Sequence, residues 1–446
     1  MKKPRISVIG IGYVGLCTAV GFASKGYEVV ASTHDAEKAA KINKGIPPFH
    51  EPNLPKLLKE TIQNGNLKCL INQTEKAVLE TDLTFNAVGT PSRPDGSIDL
   101  QFIEASTREI GRALNRKNTY NVVVIKSTVV PGTTQDIVEP ILEKESKKKC
   151  GSDFGLCMNP EFLRQGSAFE DTLHTDRIVI GQYDKRSGDT LENLYKDFYG
   201  KNTPPTIRTT LSTAELIKYA SNSLLATKIS FINTIANLCE KIPGADVKIV
   251  ATAMGLDKRI GPLFLNAGLG YGGSCFPKDV KALIAHSKNL GYSLELLEAV
   301  ENVNKTQPLK TVQFCKDQLG SLKGKKIAIL GLAFKPDTDD MREARATPII
   351  NQLIKEGANV TAYDPVAIPT AKTIFKNKIQ YATSTIECLK NADCCILVTE
   401  WDEFKKLKPQ DFAKNMKQPI LIDGRRIYKP EEFSQKLKFT AIGLGQ

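Results

Sequence analysis

Apolar and polar positions along this chain follow two α/β rhythms separated by a long helical stretch. Residues 4–10 (PRISVIG) form a short, β-branched apolar run of the kind that makes a buried parallel strand. Residues 16–25 carry a helix pattern that Gly26 ends, and residues 27–32 form a second apolar run. Further strands are expected at 83–88, 122–127 and 178–181, with helical stretches between them. The pattern changes after Pro204 and Pro205. Residues 212–241 contain neither proline nor glycine. They carry helix-spaced apolar side chains (Leu216, Tyr219, Ala220, Leu224, Ile229, Ile232, Ile235 and Leu238) on more than one face. A helix of that length runs about 45 Å and can join two domains. More helix is expected at 246–254, 279–289 and 294–316. A second α/β rhythm then begins, with strands at 325–331, 359–363, 394–398 and 419–422 and a helix at 346–356. The predicted architecture is α/β: two Rossmann-like doubly wound domains joined by a long central helix and a small helical region. The expected divisions are 1–205, 206–315 and 316–446. No sequence repeat links the two α/β halves.

Composition narrows the class. The 446 residues are 41% hydrophobic and 25% charged, ordinary for a folded chain. That excludes a disordered, collagen-like or small disulfide-stapled protein. No run reaches the roughly 18 apolar residues of a membrane span. The first apolar stretch is not read as a signal peptide, because Gly10, Gly12 and Gly15 break it. Lys and Arg exceed Asp and Glu by 61 − 49, or +12. The lysines are spread out, and the densest run is only Lys147-Lys148-Lys149. A solvated basic surface is therefore expected, with no nucleic-acid or membrane partner. None of the ten cysteines has metal-type C-x-x-C spacing, and the four histidines (34, 50, 174, 286) are scattered. No metal is expected. The cysteines should be mostly reduced, buried thiols of a cytoplasmic protein.

Two segments carry chemistry. Between the first two strands stands Gly10-Ile11-Gly12-Tyr13-Val14-Gly15. Strand, glycine turn, helix, strand is the arrangement that binds a dinucleotide pyrophosphate. Gly10 permits the tight turn, Gly12 lets the backbone approach the phosphates, and Gly15 lets helix pack on strand. The free N–H groups of the helix start face the anion. An acidic residue normally ends the second strand of such a unit and bonds the adenosine ribose. Here the strand ends Ala31-Ser32-Thr33-His34-Asp35. Thr33 stands at the strand end, while Asp35 also suits the N-cap of the next helix. Ser32, Thr33, His34 and Lys38 are able to accept a 2′-phosphate. NAD is the expected cofactor, and Thr33 leaves NADP open.

The second segment is 264–279, FLNAGLGYGGSCFPKD. Its glycines allow a loop whose backbone closes on a ligand. Cys275 is followed by Lys278, a cation that favours the nucleophilic thiolate, and by Asp279, a carboxylate able to activate water or relay a proton. In a dehydrogenase such a cysteine points to a covalent thiohemiacetal.

Taken together, eight segments resemble the UDP-glucose/GDP-mannose dehydrogenase family over essentially the whole chain. They are GIGYVG (10–15), VGTP (88–91), STVVPGT (127–133), NPEFLRQGSA (159–168), ELIKYASN (215–222), GYGGSCFPKD (270–279), LAFKPDTDDMREA (332–344) and DGRR (423–426). The resemblance implies oxidation of a sugar C6 alcohol to an acid by two hydride transfers, with UDP-glucose as substrate and UDP-glucuronate as product. It implies that Cys275 attacks the intermediate aldehyde, and that the thiohemiacetal is oxidised to a thioester. Asp279, Thr128 and Glu161 would handle water and protons, while Lys218 and Asn222 stabilise the C6 oxyanion. Phe162, Leu163, Arg164, Phe264, Asn266, Gly270, Gly272, Phe334, Lys335 and Arg425 match substrate-contacting positions, as do Lys218 and Asn222. Arg259 matches an arginine that reaches the substrate from a neighbouring subunit, which implies a homodimer or higher homo-oligomer. Gly89, Thr90, Pro91, Ser127, Thr128, Gln165, Lys278 and Arg342 join the glycine turn, Thr33 and Lys38 as cofactor positions.

Two positions depart from the family pattern. Thr33 replaces the usual acid. Gln165 stands where Glu is common, which removes a charge close to Glu161 and implies a lower rate or proton-handling capacity. Other readings stay open. A branch oxidising UDP-N-acetylhexosamines usually has His before the cysteine, where this chain has Ser274. An inactive nucleotide-sugar-binding protein would not need Cys275, Lys218, Asn222 and Asp279 intact. A single hydride transfer would not need Cys275.

Overall fold

The computed structural model of the protein describes residues 3–445. Backbone packing divides it into two compact units, the first ending at Ser221 and the second beginning at Asn222. The first unit is built on eight strands: β1 (Ile6–Ile9), β2 (Val29–Thr33), β3 (Leu67–Ile71), β4 (Leu83–Asn86), β5 (Val122–Ile125), β6 (Gly155–Met158), β7 (Ile178–Gln182) and β8 (Thr206–Thr209). Their order is β3-β2-β1-β4-β5-β6-β7-β8. All neighbouring pairs are parallel except β6 with β7. The central strands are buried on both faces, as in a sheet covered by helices on both sides. Ile6, Val8, Phe85 and Val124 join one buried layer, and Val30, Val123 and Ile125 join another.

The expected strands appear, and three more were missed. β3 (LKCLI) alternates with solvent-facing residues near the sheet margin. β6 (GLCM) is only four residues long and opens with glycine. β8 (TIRT) is a polar edge strand. None makes the continuous apolar run that marks a central parallel strand.

The second unit repeats the architecture. Its strands are β9 (Lys326–Leu330), β10 (Asn359–Tyr363), β11 (Gln380–Tyr381), β12 (Cys394–Leu397), β13 (Ile420–Asp423) and β14 (Lys438–Ala441). They lie in the order β11-β10-β9-β12-β13-β14, all parallel. This is the strand order of dinucleotide-binding sheets, with helices crossing over between strands. The short β11 and the chain-terminal β14 were not anticipated. The helix expected at 294–316 is instead two helices, Glu295–Thr306 and Lys310–Leu319, joined by a 3₁₀ turn at Gln307–Leu309. Pro308 explains the break: it has no N–H to donate, and its ring crowds the preceding turn.

The long helix runs Leu211–Cys239, close to the expected 212–241. Tyr219, Ala226, Ile232 and Ala236 on it are buried, whereas Leu216, Leu224, Phe231 and Leu238 are exposed. The two sets follow separate stripes of the helix surface.

Trp401, given no role from sequence, has a structural one. Its indole N–H donates to the buried carboxylate of Asp364 at 3.1 Å. Asp364 follows β10, where a dinucleotide sheet would carry its ribose-binding acid. Here it also accepts the backbone N–H groups of Leu332 and Ala333, at 2.7 and 3.1 Å. The carboxylate is thus consumed in fixing the start of the 332–344 segment.

Candidate active site

In the first unit the glycine turn sits between β1 and the helix Tyr13–Ser24. Gly10 has φ +89, and a Cβ there would lie 2.7 Å from the Val88 backbone. A Cβ on Gly15 would meet the Gly10 carbonyl at 1.9 Å. A Cβ on Gly12 would meet nothing within 4 Å, so open space faces the backbone where a pyrophosphate must approach the helix start. These features fit a dinucleotide. Ile11 is buried. Tyr13 stacks on Phe49 with ring centroids 3.9 Å apart, and its hydroxyl donates to the His50 carbonyl at 3.1 Å.

Thr33 is the last residue of β2. The Asp35 carboxylate accepts the Lys38 N–H at 3.0 Å and caps the helix Ala36–Asn43. It also pairs with the Lys38 ammonium at 3.1 Å. That hydrogen bonding holds its carboxyl below the usual range.

Gly89, Thr90 and Pro91 follow β4, and Ser127 and Thr128 follow β5. The Ser127 hydroxyl donates to the Val88 carbonyl at 2.7 Å, and the Thr90 hydroxyl donates to the Thr128 carbonyl at 2.9 Å. The two loops are therefore bound to each other. Further along, Glu215 of the long helix accepts Gly132 N–H at 2.7 Å, Thr134 N–H at 2.8 Å and the Thr134 hydroxyl at 2.6 Å. Burial pushes the Glu215 carboxyl up to about 7 against these bonds.

The segment after β6 carries Glu161. Its Oε1 pairs with Lys218 Nζ at 3.1 Å, and both side chains are over nine-tenths buried. The other oxygen accepts Leu163 N–H at 2.5 Å. Phe162 has two cations near its ring, the Arg177 guanidinium 3.8 Å and the Lys218 ammonium 5.4 Å from its centre. Arg164 is largely exposed and pairs with Asp171 at 2.6 Å. Glu51 accepts Gly166 N–H and Ala168 N–H, fixing the far end of the segment that carries Gln165.

In the second unit Cys275 stands at the N-terminus of the helix Phe276–Asn289. Nine of the ten cysteines are buried and Cys275 is exposed. Asp279, one turn on, is 1% exposed. Its Oδ2 accepts Asn222 Nδ2 at 2.6 Å and its Oδ1 accepts Lys278 Nζ at 2.5 Å. The loop before the cysteine is packed on the 332–344 segment. Gly273 N–H donates to the Arg342 carbonyl at 2.9 Å. A Cβ on Gly272 would strike the Glu343 carbonyl, and one on Gly273 would strike the Phe334 ring. Asn304 holds the other end: its amide oxygen accepts Tyr271 N–H at 2.7 Å and faces Gly270. Phe264 has the left-handed φ of +65, rare for a bulky residue, and its ring lies 6.1 Å from Phe276. Asn266 lies between Phe264 and the glycines.

Arg425 Nε donates to the Val398 carbonyl at 2.6 Å, beyond the end of β12. Lys335 lies 5.8 Å from the Phe334 ring centre. Arg342 pairs with Asp340 at 2.6 Å. Arg259 is 89% exposed in its side chain and pairs with Asp257, two residues away, at 2.6 Å.

Of the expected residues, the structure thus brings Glu161 onto Lys218, and Asn222 and Lys278 onto Asp279. Sequence reasoning missed Lys126, Asn159, Arg177 and Glu215. Lys126 had one usable signal, a cation directly after the apolar run VVVI. Among the described residues no group of three or more His, Cys, Asp or Glu is placed to hold a metal ion. Among the same residues no helix is long and apolar enough to cross a membrane.

Comparison with known proteins gives concordant results. Residues 4–199 match the NAD binding domain of the UDP-glucose/GDP-mannose dehydrogenase family. Residues 212–306 match its central domain and 328–430 its UDP binding domain. The chain is 43% identical over 432 residues to the UDP-glucose 6-dehydrogenase TuaD of Bacillus subtilis, covering 97% of this chain and 91% of that one. It is 44% identical over 429 residues to the UDP-glucose 6-dehydrogenase AglM of Haloferax volcanii, covering 96% and 98%. A UDP-glucose dehydrogenase structure from Pyrobaculum islandicum superposes with a TM-score of 0.92 at 38% identity, over 99% and 98% of the two chains. A UDP-D-ManNAc dehydrogenase structure from Pyrococcus horikoshii gives 0.88 at 28% identity, over 99% of each chain.

Proposed function

The chain belongs to the UDP-glucose/GDP-mannose dehydrogenase family, and from that premise we propose that it oxidises UDP-glucose to UDP-glucuronate. One UDP-glucose, two NAD⁺ and one water give UDP-glucuronate, two NADH and three protons. Bound NAD supplies the hydride acceptor for both oxidations. Lys218 and Asn222, four residues apart on one helix, stabilise negative charge on O6. The sulfur of Cys275 bonds to the aldehyde carbon, and the thiohemiacetal becomes a thioester at the second oxidation. Asp279, Thr128 and Glu161 manage the water that hydrolyses it. The observation that carries this reading is Cys275: the exposed cysteine of the ten, at a helix start, one turn from a buried carboxylate. The deciding experiment mixes the pure protein with UDP-glucose and NAD⁺ and counts reduced cofactor per sugar. Two supports the reading, and none rejects it.

The three family domains support the division at 1–205, 206–315 and 316–446. Phe162, Leu163, Arg164, Phe264, Asn266, Gly270, Gly272, Phe334, Lys335 and Arg425 contact the nucleotide sugar. Lys278 and Arg342 assist at the cofactor.

NADP is accepted alongside NAD, because Thr33 closes β2 without a carboxylate and Asp35 is engaged as a helix cap. Thr33→Asp should shift the ratio of specificity constants toward NAD⁺ by at least about tenfold, or about 1.4 kcal/mol. An unchanged ratio, measured by initial rates with each cofactor, would show that Thr33 does not face the adenosine ribose.

The enzyme works as a homodimer. Leu224, Phe231 and Leu238 form an exposed stripe at seven-residue spacing on the long helix, continued by Leu216. In a two-fold pair, Arg259 of each copy serves the other copy's substrate. Leu224→Glu with Phe231→Glu should give a monomer by light scattering. Arg259→Ala should remain dimeric but bind UDP-glucose more weakly, and mixing it with a Cys275→Ser protein should restore activity through hybrid dimers. A fully active monomer at working concentration would rule the arrangement out.

A further inference from the structure

The reaction above gives no part to the buried cation Lys126. Lys126 directly follows β5 and is buried. Its Nζ donates to the Asn159 side-chain oxygen at 2.8 Å and lies 3.5 Å from both the Asn159 carbonyl and the Tyr195 hydroxyl. These partners are all neutral. Asn159 is itself held, because Tyr195 donates to the same amide oxygen at 2.5 Å and its amide N–H donates to the Val179 carbonyl at 2.8 Å. Packing alone would favour an apolar side chain here, since a buried ammonium with only neutral partners is costly.

What Lys126 shares with the chemistry is a cavity. Lys126, Asn159, Tyr195 and Glu161 line it together, and its half-buried lining residues Asp171 and Thr172 reach solvent. Its free volume, about 50 Å³, holds one or more waters among polar groups. Glu161, buried and paired with Lys218, must lose the proton that it takes from water before the next turnover. We propose that Lys126 is the proton relay of the hydrolytic step, accepting the proton from Glu161 and releasing it through this cavity. The inference rests on the reaction proposed above.

The step balances. The water oxygen bonds to the acyl carbon while one water proton passes to Glu161. The adduct reverts unless Glu161 then gives its proton to the neutral amine of Lys126 and returns to carboxylate. The carbon–sulfur bond next breaks and the sulfur of Cys275 leaves with the bonding pair, so hydrolysis waits on that transfer. The Lys126 ammonium releases the proton to cavity water. Burial supports the role: against the opposing charge of Glu161, and with a smaller push from Lys218, it brings the Lys126 ammonium down to about 8. An ordinary lysine would keep the proton. Asp171, Arg177 and the phenols of Tyr195 and Tyr199 are the other charged or titratable groups on the cavity wall.

The test separates hydride transfer from hydrolysis by rapid mixing with UDP-glucose and NAD⁺. Lys126→Ala and Lys126→Arg should each give a full burst of two NADH per site, then hydrolyse the Cys275 acyl-enzyme at least about tenfold more slowly. Methylamine should rescue the alanine variant in proportion to its neutral fraction. Arginine keeps the charge and the hydrogen bonds but cannot give up a proton, so a structural brace would be rescued by it and a relay is not. In the unmodified enzyme, hydrolysis should quicken as pH rises through about 8, because only the neutral amine accepts a proton; this measurement holds even if a variant fails to fold. Wild-type hydrolysis by the arginine variant, or a rate flat across that pH range, overturns the relay. Absence of a two-NADH burst in the unmodified enzyme would instead reject the reaction on which it rests.

Discussion

The Cys275→Ser protein is expected to bind UDP-glucose about as tightly as the unmodified enzyme and to form no measurable UDP-glucuronate. A serine hydroxyl is almost wholly protonated at neutral pH and is a far weaker nucleophile than a thiolate. A loss of at least about a thousandfold in turnover, or about 4 kcal/mol of barrier, follows. The substitution keeps the Cβ and removes no packing, because Cys275 is exposed. Calorimetry with UDP-glucose tests the binding half, and product analysis tests the turnover half. No other cysteine can stand in. Cys17, Cys69, Cys150, Cys157, Cys388, Cys394 and Cys395 are buried, and burial raises each of their thiols above the ordinary range. A serine variant that turned over within a few-fold of the parent would falsify the covalent route.

The parts of this enzyme that were legible in its sequence are those whose signals are local. The run 4–10, the glycine turn and the following helix fall within 25 consecutive residues, and each has a steric or periodic cause. The glycine-rich loop at Cys275 is likewise one continuous stretch. Edge strands were missed because an edge needs little apolar surface: β8 is Thr-Ile-Arg-Thr. The second sheet repeats the order of the first six strands of the first, yet no repeat was visible. A buried parallel strand asks only for apolar, β-branched residues, so two sheets of equal topology need no common sequence. Pairings across long separations left no local trace at all. Glu161 meets Lys218, and Lys126 meets Asn159 and Tyr195, only once β5, β6, the helix Lys185–Tyr199 and the long helix have packed. The roles of Glu161 and Lys218 were inferred from resemblance, whereas Lys126 lay outside every named role and emerged from the fold.

Asp279→Asn is expected to lower turnover by about a hundredfold or more while leaving UDP-glucose binding within a few-fold of normal. The carboxylate is nearly inaccessible and accepts two donors, Asn222 on one oxygen and Lys278 on the other. An asparagine offers one acceptor and one donor in the same space. Whichever way it turns, an N–H group faces either the Asn222 amide or the Lys278 ammonium. The Asn222 amide can answer by flipping, which would present its oxygen in place of its N–H and remove a donor from the O6 oxyanion. The substitution therefore removes a proton acceptor, for which losses of about 100- to 10,000-fold are usual, and disturbs a neighbouring donor as well. Stability should fall less, by about 1–2 kcal/mol, because Lys278 is 19% exposed in its side chain and can turn toward water. The two effects are separable by comparing kcat with the midpoint of thermal unfolding. Coupling is the sharper check. If Asn222 acts through its bond to Asp279, then Asn222→Ala added to Asp279→Asn should cost much less than its effect alone. Fully additive losses would mean that the 2.6 Å bond between them does no catalytic work.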